Sequence, residues 1–334
     1  MKKLVWGVLS TARIGWEKVI PALQGSALGE VRAIASRDLS RAQALATQLG
    51  IPKAYGCYED LLADPEIEAI YNPLPNEQHV PWTLAAAHAG KHVLCEKPMA
   101  LNAQELSQLR VVAQQVHIME AFMVRFHPQW LAVRERVRAG TLGDLVAIQA
   151  FFSYQNTDPH NIRNIAAHGG GALYDIGCYP ITIGRFLFES EPRRVMALMD
   201  HDPSFGTDRH TSALLDFGQG RRLDFTVSTQ CTPYQRVQVI GRKKRIEVQI
   251  PFNAPLGGAA HCFVDDGQHK DDSAREQITT EPCDMYALQG DAFARAVRGQ
   301  QPLAYGLDDA VANMQVIDAL FRSHRSGHWE TPQA

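Results

Sequence analysis

The sequence predicts an α/β protein in two parts, an N-terminal Rossmann-type doubly wound parallel sheet and a C-terminal α/β domain with an open, mostly antiparallel sheet. Three observations predict it. Up to about residue 122, short apolar runs alternate with helical segments of roughly ten residues, the rhythm of βαβ units. Beyond that point strand-like runs crowd together without helices between them, which suits antiparallel pairing. The length, 334 residues, is enough for two domains of ordinary size.

In the first part, residues 1–122, Leu4 to Leu9 is a short apolar strand and Arg13 to Gly25 a helix containing Ile14, Val19, Ile20 and Leu23. Val31 to Ala35 is a second strand, and Ser40 to Leu49 a helix stopped by Gly50. Tyr58 to Ala63 is a short helix, and Ala69 to Asn72 a strand ending at Pro73. Val80 to Ala89 is a helix stopped by Gly90, followed by a strand from His92 to Cys95. Asn102 caps a helix expected to continue through Gln114, and Val116 to Met119 is one more strand.

The second part, residues 123–334, is expected to bind substrate and to oligomerise. It opens with a helix near Trp130 to Ala139, ended by Gly140. Leu145 to Tyr154 alternates Val146, Ile148, Ala150, Phe152 and Tyr154 on one face of a strand. A Gly-rich break and a helical segment span Gly169 to Phe188. Further strands are expected at Arg194–Met199, Ser212–Phe217, Arg222–Thr229, Arg236–Ile240 and Arg245–Ile250, and a last helix from Ala310 to Arg322. Residues 253–282 are polar and read as a long excursion or loop. A sheet of six strands with one uncovered face needs a partner, so a homodimer or homotetramer through that face is expected.

Composition excludes several classes. With 45% hydrophobic and 21% charged residues the chain is globular, and a net charge of −3 leaves no basic excess for nucleic acid. No apolar run approaches the ~20 residues of a membrane span. The opening Met1 to Leu9 imitates a signal peptide briefly, but its apolar stretch stops at Ser10-Thr11 and meets Arg13, so a cytoplasmic protein is expected. The six cysteines contain no CxxC pair, and His324 and His328, at helical spacing in a polar tail, read as surface residues. No metal site is expected.

The chemistry-bearing segments begin at the first βα turn, Gly7 to Gly15, where Ser10-x-Ala12-x-x-Gly15 replaces the usual glycine pattern. Small residues are needed there because backbone N–H groups must approach a pyrophosphate closely. Ser10, Thr11, Ala12, Arg13 and Ile14 therefore form the expected phosphate loop. At the end of the second strand stand Ser36, Arg37 and Asp38, with Arg41 following. A hydroxyl and two guanidiniums suit a 2′-phosphate, so NADP is expected ahead of NAD, although Asp38 keeps NAD open. Glu96-Lys97-Pro98 closes another strand at the sheet's ligand-binding edge, and its X-Pro bond is a candidate for cis. In Gly169 to Pro180, Asp175 and Tyr179 share one face of a helix. A tyrosine serves as acid or base when a neighbouring ammonium stabilises its phenoxide; the plain alternative is a core tyrosine bonded to Asp175.

Together these segments resemble the Gfo/Idh/MocA family of nicotinamide-dependent oxidoreductases, over nearly the whole chain. Glu96-Lys97-Pro98 and the run Gly169 to Tyr179 are the most specific parts, and Glu120 to Pro128 is similar to the branch that includes dihydrodiol and xylose dehydrogenases. The resemblance implies Tyr179 as acid/base, Lys97 as its electrostatic partner and Asp175 as the residue that orients substrate or tyrosine. It adds Pro73, Leu74, Asn76, His79, Glu96, Lys97 and Arg125 to the cofactor set, Asn76 and His79 lying in a loop that passes the nicotinamide ribose. Asn161, Arg163 and His160, ahead of the glycine run, are the expected substrate contacts. The implied reaction is hydride transfer between the cofactor and a secondary alcohol or hemiacetal carbon of a sugar-like or diol substrate. Alternatives are a ketoreductase on a nucleotide-linked sugar and a non-catalytic dinucleotide-binding regulator; retention of both Lys97 and Tyr179 speaks against the regulator.

Overall fold

A computed structural model describes residues 2–269, 271 and 273–332. The ends of the two expected parts, Met1 and Ala334, and Lys270 and Asp272 within the 253–282 segment, lie outside the described residues. The chain divides into one unit of Met1–Met123 with Asp284–Val311 and another of Val124–Cys283 with Ala312–Ala334.

The first unit is built on six parallel strands: β1 (Leu4–Leu9), β2 (Gly29–Ala35), β3 (Lys53–Tyr55), β4 (Ala69–Asn72), β5 (His92–Cys95) and β6 (Ile118–Glu120), in the order β3-β2-β1-β4-β5-β6. Every residue of β1 and β4 is buried, as a strand covered on both faces requires, and this explains their unbroken apolar runs. Each fully buried Leu, Ile or Trp side chain there contributes about 1.5–3 kcal/mol or more. The connecting helices are α1 (Ile20–Gly25), preceded by a π-turn at Gly15–Val19, then α2 (Leu39–Leu49), α3 (Tyr58–Ala63), α4 (His79–His88) and α5 (Ala103–Leu106).

The helix expected from Asn102 to Gln114 is the main local departure in this unit. Asn102 does cap it, accepting from the Glu105 amide at 3.0 Å, but α5 gives way to 3₁₀ turns at Ser107–Leu109 and Val112–Gln114. The Ser107 hydroxyl donates to the Gln104 carbonyl at 2.6 Å, a local bond that competes with the α ladder where the helix tightens.

The division of the chain also differs from a single break at residue 122, because Asp284–Val311 belongs to the parallel-sheet unit. Within that segment an unexpected helix runs Met285–Val297 and packs on β1 and α1: Phe293 lies 5.4 Å from Trp6 between ring centroids, and a Cβ on Gly290 would stand 2.4 Å from Leu23 Cδ2. Arg298, just past the helix, donates to Glu68 at 2.6 and 3.0 Å and to the carbonyl oxygens of Lys2 and Lys3.

The second unit opens with α6 (Pro128–Arg138), whose Pro128 sits in the first turn and whose chain leaves through Gly140 at φ +70°. Its sheet has eight strands: β7 (Leu145–Gln155), β8 (Arg194–His201), β9 (Asp208–Gly218), β10 (Arg221–Ser228), β11 (Gln230–Gly241), β12 (Arg245–Val248), β13 (Ala260–Asp265) and β14 (Glu276–Thr280). Their order is β14-β13-β12-β11-β7-β10-β9-β8, antiparallel throughout except for β7–β10.

β13 and β14 correct the reading of 253–282 as loop. Ala260, Cys262 and Val264 are buried on one face of β13, an alternation masked by the polar residues around it. The helix α7 (Cys178–Phe188) is buried along its whole length against one sheet face, where a Cβ on Gly184 would meet Leu223 Cδ2 at 2.8 Å. The terminal helix α8 (Leu307–Ser326) is longer than expected; in this unit its Asn313 accepts from the Thr182 hydroxyl at 3.0 Å, and Ser323 accepts from the Ala197 amide at 3.2 Å. On the opposite sheet face Leu198 and Tyr234 are 74% and 49% exposed.

Candidate functional site

In the parallel-sheet unit the expected cofactor residues gather at the carboxyl ends of the strands. Ser10 leaves β1 in the left-handed region at φ +69°, and its Oγ accepts from the Ala12 amide at 3.2 Å. Thr11, Ala12 and Ile14 are half-buried, while Arg13 is exposed and pairs with Glu17 at 2.6 Å. Ser10 thus holds the backbone that a glycine would adopt freely, and the turn keeps the tight geometry of a phosphate loop without the usual residue. Gly15 has ordinary room beside Tyr71, 3.7 Å from the position of a Cβ.

At the end of β2, Ser36 is buried and its Oγ accepts from the Asp38 amide at 3.2 Å. Asp38 caps α2, accepting from the amides of Ser40 at 2.9 Å and Arg41 at 3.3 Å. Arg37 and Arg41 are exposed, and neither has a carboxylate partner among the described residues. The Arg37 charge lies near the hydroxyl of buried Tyr58, whose ring stands edge-on to Trp82 at 4.8 Å. Burial pushes the Tyr58 hydroxyl up and the Arg37 charge draws it back. A buried hydroxyl and two exposed guanidiniums fit a phosphate ester, while the acid that could hold a ribose is engaged as a helix cap.

The β4 and β5 ends are tied to one another. Asn72 Nδ2 donates to the His79 carbonyl at 3.1 Å, and Asn72 Oδ1 accepts from the Leu74 amide at 3.3 Å. His79 is buried with its ring nitrogens facing two carbonyls, Leu74 at 2.6 Å and Pro98 at 2.8 Å; burial brings its pKa down to about 4, so the neutral ring donates to one of the two. Its ring sits between the Pro73–Leu74 segment and the turn after β5, a supporting part for a residue expected beside the ribose. Pro73 and Leu74 are buried and Asn76 half-buried. The Lys97-Pro98 bond is cis, Glu96 and Lys97 are half-buried, and the Tyr71 hydroxyl donates to Glu96 at 2.8 Å. Met99 is held by its amide donating to Glu120 at 2.8 Å.

In the second unit the glycine run leads into a π-turn, Leu173–Gly177, before α7. Pro180 offers no N–H to the preceding carbonyls, and the Cys178 thiol donates instead to the Asp175 carbonyl at 3.6 Å. Asp175 Oδ2 accepts from the Tyr154 hydroxyl at 2.6 Å and from Arg163 Nε at 2.9 Å. Burial, followed by the Asp175 charge, pushes the Tyr154 hydroxyl far above the ordinary tyrosine range, and Asp175 holds Arg163 firmly protonated. Tyr179 is buried, edge-on to Phe152 at 6.0 Å and tilted on Phe252 at 5.5 Å. Gly177 serves packing: a Cβ there would lie 2.8 Å from Leu173 Cδ1.

The remaining expected residues divide. Arg163 joins Asp175, Asn161 caps the short turn Ile162–Asn164 by accepting from the Arg163 amide, and His160 lies exposed on the loop. Arg125 is buried in this unit. Sequence reasoning missed Tyr154 as a functional candidate, reading it as a strand residue, and missed Asp208 altogether. Asp208 is buried and accepts from the Leu173 amide at 2.8 Å and the Thr211 hydroxyl at 2.6 Å; burial pushes its carboxyl up to about 7.

Among the described residues no helix is long and apolar enough to cross a membrane. Residues 5–125 match the oxidoreductase family with an NAD-binding Rossmann fold, and residues 130–247 the GFO/IDH/MocA C-terminal domain. An uncharacterized oxidoreductase of Rhizobium meliloti is 46% identical over 98% of both chains. The D-xylose 1-dehydrogenase (NADP(+)) 2 of Haloferax volcanii is 39% identical over 97% of this chain and 98% of its own, in the branch to which Glu120–Pro128 pointed. The crystal structure of KijD10, a 3-ketoreductase from Actinomadura kijaniata in complex with NADP and TDP-benzene, superposes with a TM-score of 0.89 at 29% identity, covering 96% of this chain and 98% of that one. With both halves of the fold matched and relatives aligned along almost its full length, the chain belongs to the Gfo/Idh/MocA family of oxidoreductases with an NAD(P)-binding Rossmann domain.

Proposed function

We propose that the protein catalyses reversible hydride transfer between NADP(H) and a secondary alcohol or hemiacetal carbon of a sugar-like or diol substrate. The observation that carries the reading is Asp175, engaged by both Tyr154 and Arg163 one helical turn before the buried Tyr179. When bound, the nicotinamide accepts or supplies the hydride. Tyr179 takes the hydroxyl proton in oxidation and returns it in reduction, with Lys97 as the charge that keeps the phenol acidic. Asp175 and Arg163 orient the substrate's hydroxyl groups. Ser10 to Ile14 hold the pyrophosphate, and Ser36, Arg37 and Arg41 hold the 2′-phosphate; the 39% identical relative named as NADP-dependent supports that choice.

The test is a panel of polyols, aldoses and trans-dihydrodiols followed by NADPH absorbance, with NADH in parallel. Turnover of an aldose or diol with NADP is the expected result; binding of NADP without turnover of any panel member sinks the reading. A second reading, reduction of a keto group on a nucleotide-linked sugar, is favoured by the likeness to KijD10, and a nucleotide-linked keto sugar belongs in the same panel.

The open face of the eight-stranded sheet, with Leu198 and Tyr234 exposed, supports a homodimer or homotetramer formed through it. A monomer in sedimentation at micromolar concentration would remove this part. Six cysteines, none of them in a disulfide, suit a reducing cytoplasm.

A further inference from the structure

The π-turn that carries Asp175 is fastened at its start by a residue thirty-three positions further along the chain. Asp208, at the first position of β9, accepts from the Leu173 amide at 2.8 Å and from the Thr211 hydroxyl at 2.6 Å. Gly171 stands at φ +118°, and a Cβ there would come within 2.0 Å of Asp208 Oδ1. The carboxylate therefore occupies the space that any other residue at 171 would need. The same glycine run holds the Arg163 backbone, because the Gly171 amide donates to the Arg163 carbonyl at 2.9 Å and a Cβ on Gly170 would lie 2.5 Å from that oxygen. One buried side chain thus holds the start of the turn that carries Asp175, next to the glycines that bond the backbone of Arg163.

We infer that Asp208 is a positioning residue for the reaction, holding the Arg163–Asp175 pair and the start of the Tyr179 helix in register; the inference rests on the reading of Asp175 and Tyr179 given above. One oxygen of the carboxylate, Oδ2, accepts both bonds while Oδ1 faces Gly171, whereas an asparagine puts a donating amide group in place of one of these oxygens. Burial lifts the carboxyl to about 7, so the comparison is made above that value, where it is ionised.

The experiment compares Asp208→Asn, Thr211→Val and Tyr179→Phe in the full-length enzyme at pH 8, measuring kcat, KM for NADP and Tm. Asp208→Asn should lower kcat per folded molecule by about 10-fold to 10²-fold, the scale of a misplaced catalytic group, with KM for NADP unchanged; Tm, measured alongside, gives the folded fraction. Thr211→Val, which leaves the backbone ties intact, should lower kcat by about threefold, the loss of a fraction of a kcal/mol in one supporting bond. Wild-type kcat in Asp208→Asn overturns the inference, as does a fall in Tm with kcat per folded molecule preserved. Should Asp208→Asn fail to fold, wild-type kcat in Thr211→Val overturns it. Full activity in Tyr179→Phe overturns the reading of the site, and with it this role for Asp208, whatever the Asp208 variant does. Loss in Tyr179→Phe with none in Asp208→Asn rejects the positioning role alone.

Discussion

Tyr154 donates its hydroxyl to Asp175 Oδ2 at 2.6 Å, from the strand β7 to the π-turn before α7. From the sequence, Tyr179 is expected as the acid/base and Asp175 as the residue that orients substrate or tyrosine, with no part for Tyr154. Tyr154 and Arg163 both meet Asp175 on one oxygen, Oδ2.

The two tyrosines should therefore separate in mutagenesis. Burial, and after it Asp175, favour the protonated form of Tyr154, which suits a residue that positions Asp175. Tyr154→Phe should lower kcat by about threefold to tenfold through a loosened Asp175, leaving the shape of the pH–rate profile unchanged. Tyr179→Phe, and likewise Lys97→Met, should each cost about 10²-fold or more in kcat. Steady-state kinetics from pH 6 to 10 decide it: a shifted profile in Tyr154→Phe, or full turnover in Tyr179→Phe, reverses the assignment.

Ser10 offers a test of the degenerate phosphate loop. A non-glycine residue at φ +69° carries strain of about 1–2 kcal/mol, partly offset here by the bond from Ala12. Ser10→Gly relieves the strain and should stay within about 1 kcal/mol of wild type while still binding NADP. Ser10→Val, β-branched and without the acceptor, should lose about 2 kcal/mol or more and weaken NADP binding. Calorimetry and fluorescence titration measure both; equal behaviour of the two variants would mean the left-handed backbone is not needed.

Much of the fold was legible because its signals are local. The first strand declares itself as an unbroken apolar run, and Gly50, Gly90 and Gly140, all at positive φ, end their helices as expected. What escaped depends on distant partners. The helix Met285–Val297 is announced only by its Asp284 cap, and its assignment to the first unit rests on Trp6, Leu23 and Glu68, far back in the chain. Helical spacing placed Asp175 near Tyr179 but is silent on a π-turn. It also gave no hint that Tyr154 crosses from a strand to reach Asp175, or that Asp208 sits against Gly171.

Arg298 and Glu68 predict a pH dependence of stability in the parallel-sheet unit. Burial alone would raise the Glu68 pKa, but Arg298, Lys2 and the Val5 amide overcome it and hold the carboxyl down to about 2. A carboxyl depressed in the folded state contributes stability that is complete above its unfolded pKa, near 4.5, and lost as pH falls through about 2. Glu68→Gln should therefore cost about 1–3 kcal/mol at pH 7 and progressively less below pH 4. Calorimetric unfolding of both proteins from pH 7 to 2.5 follows the difference; a gap that stays constant with pH would remove the ion pair from the explanation.

Cofactor choice is the sharpest consequence of the β2 terminus. Asp38, the acid that would hold the ribose hydroxyls of NAD, spends its Oδ1 on the amides of Ser40 and Arg41 as the cap of α2. Arg37 and Arg41 stand exposed beside it, with Ser36 at the strand end. Each charge-assisted bond to a 2′-phosphate is worth about 1.5–3 kcal/mol, less where salt screens it, and 1.4 kcal/mol already gives a factor of ten. NADP should therefore bind at least about tenfold more tightly than NAD, with the ratio shrinking as ionic strength rises. Replacing Arg37 and Arg41 together with Ala should raise KM for NADP about tenfold or more and leave KM for NAD nearly unchanged. Asp38→Ala, by contrast, should lose about 1 kcal/mol of stability as a missing cap without improving or harming NAD binding. If the wild type binds both cofactors equally, or the double variant weakens both alike, the two arginines are ordinary surface charges, and the case for NADP made from this strand end goes with them.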